Sequence, residues 1–203
     1  MLEWIQIYDH AALLWLQEHF RNAVLNIFMA FYTRLGNGGL LIFLALALLL
    51  VRKETRRYAL IGLCGLAVGY GAIHLVKITV TRPRPFVTYA GELIPLARID
   101  DPNSFPSGHS GSCFAVSTAW TRALPRGRKL PGIIALCLAG LMAFSRLYVG
   151  VHYPSDVAAG ILIGVLGGLA GAWLYMRGEK YWLEKKEGAG YQMTNNDKAG
   201  RGS

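Results

Sequence analysis

The sequence has 203 residues, of which 53% are hydrophobic and 16% are charged, and its mean hydropathy is +0.33. Soluble domains carry about 25% charged residues, so this composition excludes an ordinary soluble domain and a disordered chain. The formal net charge is +9, but the basic residues form short clusters between long apolar stretches, which is typical of a membrane protein with several spans and predicts no nucleic-acid partner.

The start of the chain predicts two helices of different character. Residues 1–19 combine aromatic side chains such as Trp4 and Trp15 with charged ones, which predicts an amphipathic helix lying at the membrane interface. This segment lacks the basic start and compact apolar core of a cleavable signal peptide. A second helix is predicted near Asn22–Leu35, before a glycine-rich turn at Gly36–Gly39.

Five further apolar stretches predict membrane-crossing helices, because a bilayer core of about 30 Å needs about 20 apolar residues. They are Leu40–Val51, Tyr58–Val80, Ser107–Leu124, Pro131–Val149 and Pro154–Met176. With the helix near Asn22–Leu35, they predict an all-α fold, a polytopic membrane bundle of about six transmembrane helices, or of five with a partly inserted first helix. The spacing of Gly160, Gly164 and Gly168 predicts close helix packing.

Three basic clusters predict the orientation of the bundle. They lie at residues 52–57, 122–129 and 177–186, and they alternate with the spans so that all three share one side. The positive-inside rule places that side and both termini in the cytoplasm. The loops 81–106 and 146–153 then face the outside or the periplasm, across a plasma or inner membrane. Residues 181–203 are predicted to form a disordered cytoplasmic tail.

Three short segments at the outward ends of the spans carry residues suited to phosphate chemistry. They are Lys77 to Arg84-Pro85, then Pro106-Ser107-Gly108-His109, and then Ser145-Arg146 followed by His152 and Asp156. Arginine forks match phosphate oxygens, and lysine adds a point charge. Ser107 is a natural N-cap of the helix that follows it, and the free amides of a first helical turn bind anions. An anionic ligand is therefore predicted at this face.

Together the segments resemble the signature of the type 2 phosphatidic acid phosphatase (PAP2) family: Lys-x6-Arg-Pro, Pro-Ser-Gly-His and Ser-Arg-x5-His-x3-Asp. The spacings and the order match. The resemblance implies that residues 20–180 form a transmembrane catalytic domain, an integral membrane lipid phosphatase. The small size and the outward site are similar to bacterial members that act on undecaprenyl diphosphate. The expected partners are a lipid phosphate or diphosphate substrate and the surrounding membrane lipids.

The resemblance also implies a role for each motif residue. His152 attacks phosphorus and forms a phosphohistidine, Asp156 orients His152, and His109 protonates the leaving oxygen and then activates water. The expected phosphate-binding residues are Lys77, Arg84, Ser107, Gly108 and Arg146. Catalysis is expected to need no metal and no other cofactor, and the three cysteines lack the spacing of a zinc site.

Two other functions stay open at this point. One is hydrolysis of phosphatidylglycerophosphate or phosphatidic acid, and the other is non-catalytic transport of an anionic lipid. The His152–Asp156 pair favours an enzyme, because simple binding needs no nucleophile with an orienting carboxylate. The loop 86–105 is interpreted as a lid or headgroup selector. For His74, a position between helices is favoured over one in the pocket.

Overall fold

The computed structural model describes residues 3–37, 40–42, 44, 47 and 53–200. Within these ranges the chain is helical and has no β-strand, which confirms the predicted all-α class. The main helices are α1 (Glu3–Phe20), α2 (Ala23–Tyr32), α3 (Lys53–Thr79), α4 (Gly108–Ala123), α5 (Leu130–Tyr148) and α6 (Pro154–Gly200), with short helical turns at Thr33–Gly36, Pro85–Thr88 and Arg126–Arg128. The predicted span Leu40–Val51 lies largely outside the described residues.

Three of the described helices are long and apolar enough to cross a membrane. They are Lys53–Thr79, Leu130–Tyr148 and the Pro154–Lys186 part of α6. Large apolar side chains stay exposed on their outer faces, such as Ile133 on α5 and Leu166 on α6. A bilayer accepts such faces, since lipid tails are as apolar as leucine. The chain is therefore a helical membrane protein.

Helices α3, α4 and α6 pack closely because glycines let their backbones approach. A Cβ atom at Gly160 would lie 2.5 Å from the carbonyl oxygen of Ser107 at the start of α4. Cβ atoms at Gly164 and Gly168 would overlap carbonyl oxygens of α4 in the same way. The small-residue spacing thus serves close helix packing, as predicted.

Helix α1 lies across the end of the bundle where α3 and α5 finish and α4 and α6 begin. Its aromatic side chains Trp4 and Trp15 are exposed, while Leu13 and Leu16 are buried. Leu13 packs with Leu93 and Tyr153, and Leu16 packs in a cluster that contains Val151. The segment that the sequence predicts to lie at the membrane interface therefore packs on the loops that carry the motifs.

The last helix, α6, continues to Gly200, whereas the composition of residues 181–203 predicts a disordered tail. The side chains of Lys180 and Glu184 lie 3.7 Å apart, one turn from each other. Such a pair stabilises a helix by about 0.2–0.5 kcal/mol. The continuation starts from a packed span, so it needs no separate nucleation.

Candidate active site

A cavity of about 480 Å³ opens at the end of the bundle covered by α1. Six of the eight predicted site residues line it: Lys77, Arg84, Gly108, His109, Arg146 and His152. They come from the end of α3, the loop after it, the start of α4, the end of α5 and the loop before α6. Residues distant in the chain meet here because four helix ends converge.

Arg84 connects the first motif to the third. The guanidinium is 3% exposed, and its Nη1 donates to the carbonyl oxygen of Val151 at 2.9 Å and lies 3.3 Å from Nε2 of His152. Its Nε donates to the carbonyl oxygen of Asp101 at 2.6 Å. Burial lowers the pKa of Arg84, and the Asp101 and Asp156 charges partly offset this effect. The backbone contacts hold this cation directly beside the histidine.

Lys77 and Arg84 share a carboxylate that the motifs do not contain. Lys77 Nζ lies 2.5 Å from Oδ2 of Asp101, and Nη2 of Arg84 lies 3.5 Å from the same oxygen. Partial burial opposes the Asp101 charge, but hydrogen bonds from Lys77 and the Asn103 amide, with the Lys77 and Arg84 charges, hold the pKa of Asp101 below its usual range. The ionised carboxylate occupies the position where a phosphate would meet both cations.

Arg146 presents a buried guanidinium with an unused donor. Its side chain is 2% exposed, and Nη1 donates to Oγ1 of Thr33 at 2.7 Å. Its buried Nε has no hydrogen-bond partner in the structure. Because buried donors are normally satisfied, this unpaired N–H at the cavity wall is suited to an anionic ligand. The supporting residue Thr33 was not identified from the sequence.

The second motif begins α4 in the way predicted for it. Ser107 is the N-cap, and its side chain accepts from the Ser110 amide. The Ser107 amide donates to the carbonyl oxygen of Asp156 at 3.0 Å, which joins the starts of α4 and α6. The Ser107 hydroxyl is fully buried as a cap, so Gly108 and His109, rather than that hydroxyl, line the cavity. The amides of a first helical turn are suited to bind an anion.

His152 lies between a carboxylate and the cavity. Its Nδ1 is 3.6 Å from Oδ2 of Asp156, a contact longer than a hydrogen bond, while Nε2 faces Arg84. Burial lowers the pKa of His152 to about 4; Asp156 opposes this shift, and the charges of Arg146 and Arg84 add to it. The imidazole is therefore neutral at physiological pH, with a lone pair available on one nitrogen.

Asp156 is completely buried and both of its oxygens are engaged. Oδ2 accepts from the Tyr153 amide at 2.9 Å, and Oδ1 accepts from Nη1 of Arg82 at 2.6 Å. The family-like motif does not include Arg82, so sequence reasoning missed its contact. The available signal was the place of Arg82 in the sequence: it lies between the end of α3 and Pro83, in a loop predicted to face outward, where the positive-inside rule expects few positive charges.

The cavity also contains residues outside the motifs. His74 lines it together with Tyr70, and their rings stack with centroids 6.4 Å apart. The interpretation of His74 as a residue between helices is therefore wrong, because its position one turn before Lys77 directs it to the same opening. Among the described residues, no three His, Cys, Asp or Glu side chains are arranged to hold a metal ion.

Residues 58–180 match the family model described as the PAP2 superfamily, over more than half of the chain. The chain belongs to the PAP2 superfamily. This assignment confirms the resemblance that the three motifs indicate. The superfamily's phosphatases are hydrolases that act on phosphate esters, and this chain is accordingly a membrane-embedded hydrolase of the lipid phosphatase family.

Relatives within the PAP2 superfamily differ in the lipid that their names specify. The chain is 33% identical over 154 residues to undecaprenyl-diphosphatase BcrC of Bacillus subtilis, covering 72% of this chain and 73% of that one. It is 36% identical over 133 residues to decaprenylphosphoryl-5-phosphoribose phosphatase of Mycobacterium tuberculosis, covering 64% and 68%. Among solved structures, a PAP2-type phosphatidylglycerolphosphate phosphatase from Bacillus subtilis is similar, with a TM-score of 0.70, 26% identity and coverage of 87% and 88%.

Proposed function

We propose that this protein hydrolyses a lipid diphosphate, undecaprenyl diphosphate, to undecaprenyl phosphate and inorganic phosphate. The observation that carries the proposal is the position of His152: its Nε2 faces a cavity lined by Lys77, Arg84 and Arg146, and its Nδ1 faces Asp156. The similarity to BcrC supports the diphosphate substrate. Residues 20–180 form the proposed catalytic domain.

The proposed reaction has two displacements at the terminal phosphorus. Nε2 of His152 forms a bond to phosphorus while the bond to the bridging oxygen breaks, and His109 donates its proton to that oxygen, which leaves as undecaprenyl phosphate. His109 then accepts a proton from water, the water oxygen attacks the phosphohistidine, and the phosphorus–nitrogen bond breaks. Inorganic phosphate leaves, and the starting imidazole is restored.

The surrounding cations lower the barrier by meeting the charge of the five-coordinate phosphorus. Lys77, Arg84 and Arg146 are proposed to bind the equatorial oxygens, with the amides after Ser107 and Gly108. Arg84 is held by the carbonyl oxygens of Val151 and Asp101, and Arg146 is held by the Thr33 hydroxyl. Donors fixed in this way need little reorganisation during the reaction. Removing one such donor typically lowers kcat by about 10²–10³-fold. No metal or cofactor enters this scheme.

The cavity is proposed to face the outside or the periplasm of a plasma or inner membrane. The basic residues Lys53, Arg122 and Arg126 lie at the start of α3, the end of α4 and the turn after it, at the opposite helix ends from the cavity. The positive-inside rule supports a cytoplasmic position for them. The bundle is then proposed to have about six spans with both termini inside.

Phosphatidylglycerophosphate is the second candidate substrate, because a similar solved structure is that of a phosphatidylglycerolphosphate phosphatase from Bacillus subtilis. The deciding experiment measures phosphate release by the purified protein in detergent from undecaprenyl diphosphate, phosphatidylglycerophosphate and phosphatidic acid. We expect the highest kcat/KM for undecaprenyl diphosphate, unchanged in excess chelator. A clear preference for either monophosphate would contradict the proposed substrate.

The same assay tests the nucleophile with two histidine variants. His152→Ala is expected to abolish phosphate release while the protein stays folded in detergent, because no other described imidazole meets both Asp156 and the cavity. His19→Ala is the matched control, since His19 is exposed on α1. Normal turnover by His152→Ala would exclude the phosphohistidine. Binding of the lipid without hydrolysis by the wild type would favour the transporter instead.

A further inference from the structure

Behind the nucleophile, three buried charges form a chain that reaches helix α1. Asp9 is 4% exposed, Arg82 is 6% exposed and Asp156 is fully buried. Nη1 of Arg82 donates to Oδ1 of Asp156 at 2.6 Å, and Nη2 donates to Oδ2 of Asp9 at 2.7 Å. One guanidinium therefore bridges a carboxylate of α1 and the carboxylate beside His152.

Asp9 and Arg82 are also fixed from other sides. Oδ1 of Asp9 accepts from the Ser155 amide at 2.9 Å, in the first turn of α6. Nη1 of Arg82 donates to Oγ of Ser155 at 2.7 Å, and its guanidinium carbon lies 3.8 Å from the ring centroid of Tyr153. Forked, stacked contacts of this kind are specific to arginine.

We propose that Arg82 and Asp9 are positioning residues for the hydrolysis: they hold the Asp156 carboxylate so that its second oxygen stays directed at Nδ1 of His152. The inference rests on the proposed function. Arg82 binds the Asp156 oxygen that faces away from the histidine, and Asp9 fixes the other arm of Arg82. This arrangement leaves the carboxylate one orientation toward the nucleophile.

The contacts separate this role from phosphate binding. Arg84, two residues later, lines the cavity, whereas Arg82 does not. A substrate phosphate therefore meets Arg84 and has no direct contact with Arg82. Loss of Arg82 is expected to reduce kcat through Asp156 and to leave KM unchanged, while loss of a cavity cation affects substrate binding as well.

The charge balance explains why both residues are needed. Without Arg82, the carboxylates of Asp9 and Asp156 are buried together without a cation, and removing one partner of a buried ion pair is strongly destabilising. Asp156 would then rotate or take up a proton, and it would no longer orient the imidazole of His152. Without the Asp9 charge, Arg82 keeps Asp156 but loses the anchor on its second arm.

A double-mutant cycle in the full-length protein tests the inference. The variants are Arg82→Gln, Asp156→Asn and the double variant, assayed for kcat and KM on the lipid that the wild type hydrolyses fastest. Arg82→Gln is expected to lower kcat by about 10²-fold in the wild-type background, the scale of a small misplacement of a reacting group. In the Asp156→Asn background it is expected to add almost nothing, because the group it positions is already altered.

Two milder variants keep the test valid if Arg82→Gln does not fold. Asp9→Asn retains an oxygen for the Ser155 amide, and we expect kcat to fall by about tenfold with KM unchanged. Arg82→Lys restores one positive charge and is expected to recover part of the activity lost in Arg82→Gln. Arg126→Gln is the matched control, because Arg126 is exposed in the turn at the opposite helix ends from the cavity, and it should behave as wild type.

The outcomes are distinct for the two proposals. Equal losses from Arg82→Gln in both backgrounds, a change in KM alone, or wild-type kcat in Asp9→Asn would overturn the positioning role. A wild-type protein that hydrolyses a different lipid contradicts the proposed substrate but leaves the cycle measurable on that lipid. Strong coupling between Arg82 and Asp156 with unchanged KM supports the inference.

Discussion

Asp101 brings a negative charge into a cavity that otherwise attracts anions. Its carboxylate contacts Lys77 and Arg84, and 45% of its side chain is exposed. A phosphate that binds these cations must displace it or share them. If the proposed site is correct, the loop 86–105, interpreted from the sequence as a lid or selector, contributes a carboxylate that competes with the substrate for Lys77 and Arg84.

Replacing Asp101 with Asn is therefore expected to tighten binding of inorganic phosphate or vanadate. Because the ion pair is partly exposed, it contributes a free energy of about 0.2–1 kcal/mol. The inhibition constant should therefore fall by no more than about fivefold. The inhibition constant is measured from the inhibition of phosphate release by inorganic phosphate or vanadate. Asp100→Asn is the control, since Asp100 is the exposed neighbour in the chain. Weaker inhibition of Asp101→Asn would mean that Asp101 helps to hold the ligand.

The low pKa of His152 makes stability depend on pH in a defined window. The pKa of His152 is about 4 in the folded protein and that of an unperturbed histidine is 6.5, so the unfolded state takes up the proton first as the pH falls. The contribution of His152 is present above pH 6.5 and is lost as the pH falls toward 4. Thermal unfolding in detergent should show a smaller decline of Tm across this window for His152→Gln than for wild type. Identical declines would contradict the neutral buried imidazole.

At the scale of elements, the helix ends were largely predictable and their docking was not. Ser107 is predicted as an N-cap and caps α4 in the structure. The helix predicted near Asn22–Leu35 begins directly after Asn22, whose side chain caps it. By contrast, Arg82 pairs with Asp9 across 73 positions. Local pattern contains no information about such distant partners, because they meet only after the helices pack.

The contact between α4 and α6 gives a prediction about packing. A Cβ at Gly164 would overlap the carbonyl oxygen of Gly111, whereas a Cβ at Gly178, further along α6, meets nothing within 4 Å. Gly164→Ala is expected to lower stability by about 1–3 kcal/mol through overpacking, and Gly178→Ala should not. Tm in detergent compares the two variants. Equal Tm values for the two variants would mean that α4 and α6 accommodate the added methyl group without a loss of stability.

For the whole molecule, the convergence of four helix ends links the site to the topology. If the cavity faces outward, a reporter fused after Met176 on α6 should read cytoplasmic, because that position lies past the span that starts beside His152. A reporter inserted after Gly91, in the exposed outer loop, is the matched comparison and should read external. The reverse pattern would invert the proposed orientation.

Helix α6 is longer than the membrane that it crosses. The segment Pro154–Lys186 has 33 residues, which at about 1.5 Å per residue gives about 50 Å, against a hydrocarbon core of about 30 Å. One helix thus carries the Asp156 carboxylate at one end and extends beyond the lipid at the other. A fluorophore on the part of α6 beyond the lipid would report, by quenching from the medium, which way each molecule is inserted in a vesicle. If the proposed site is correct, substrate is hydrolysed at the opposite surface.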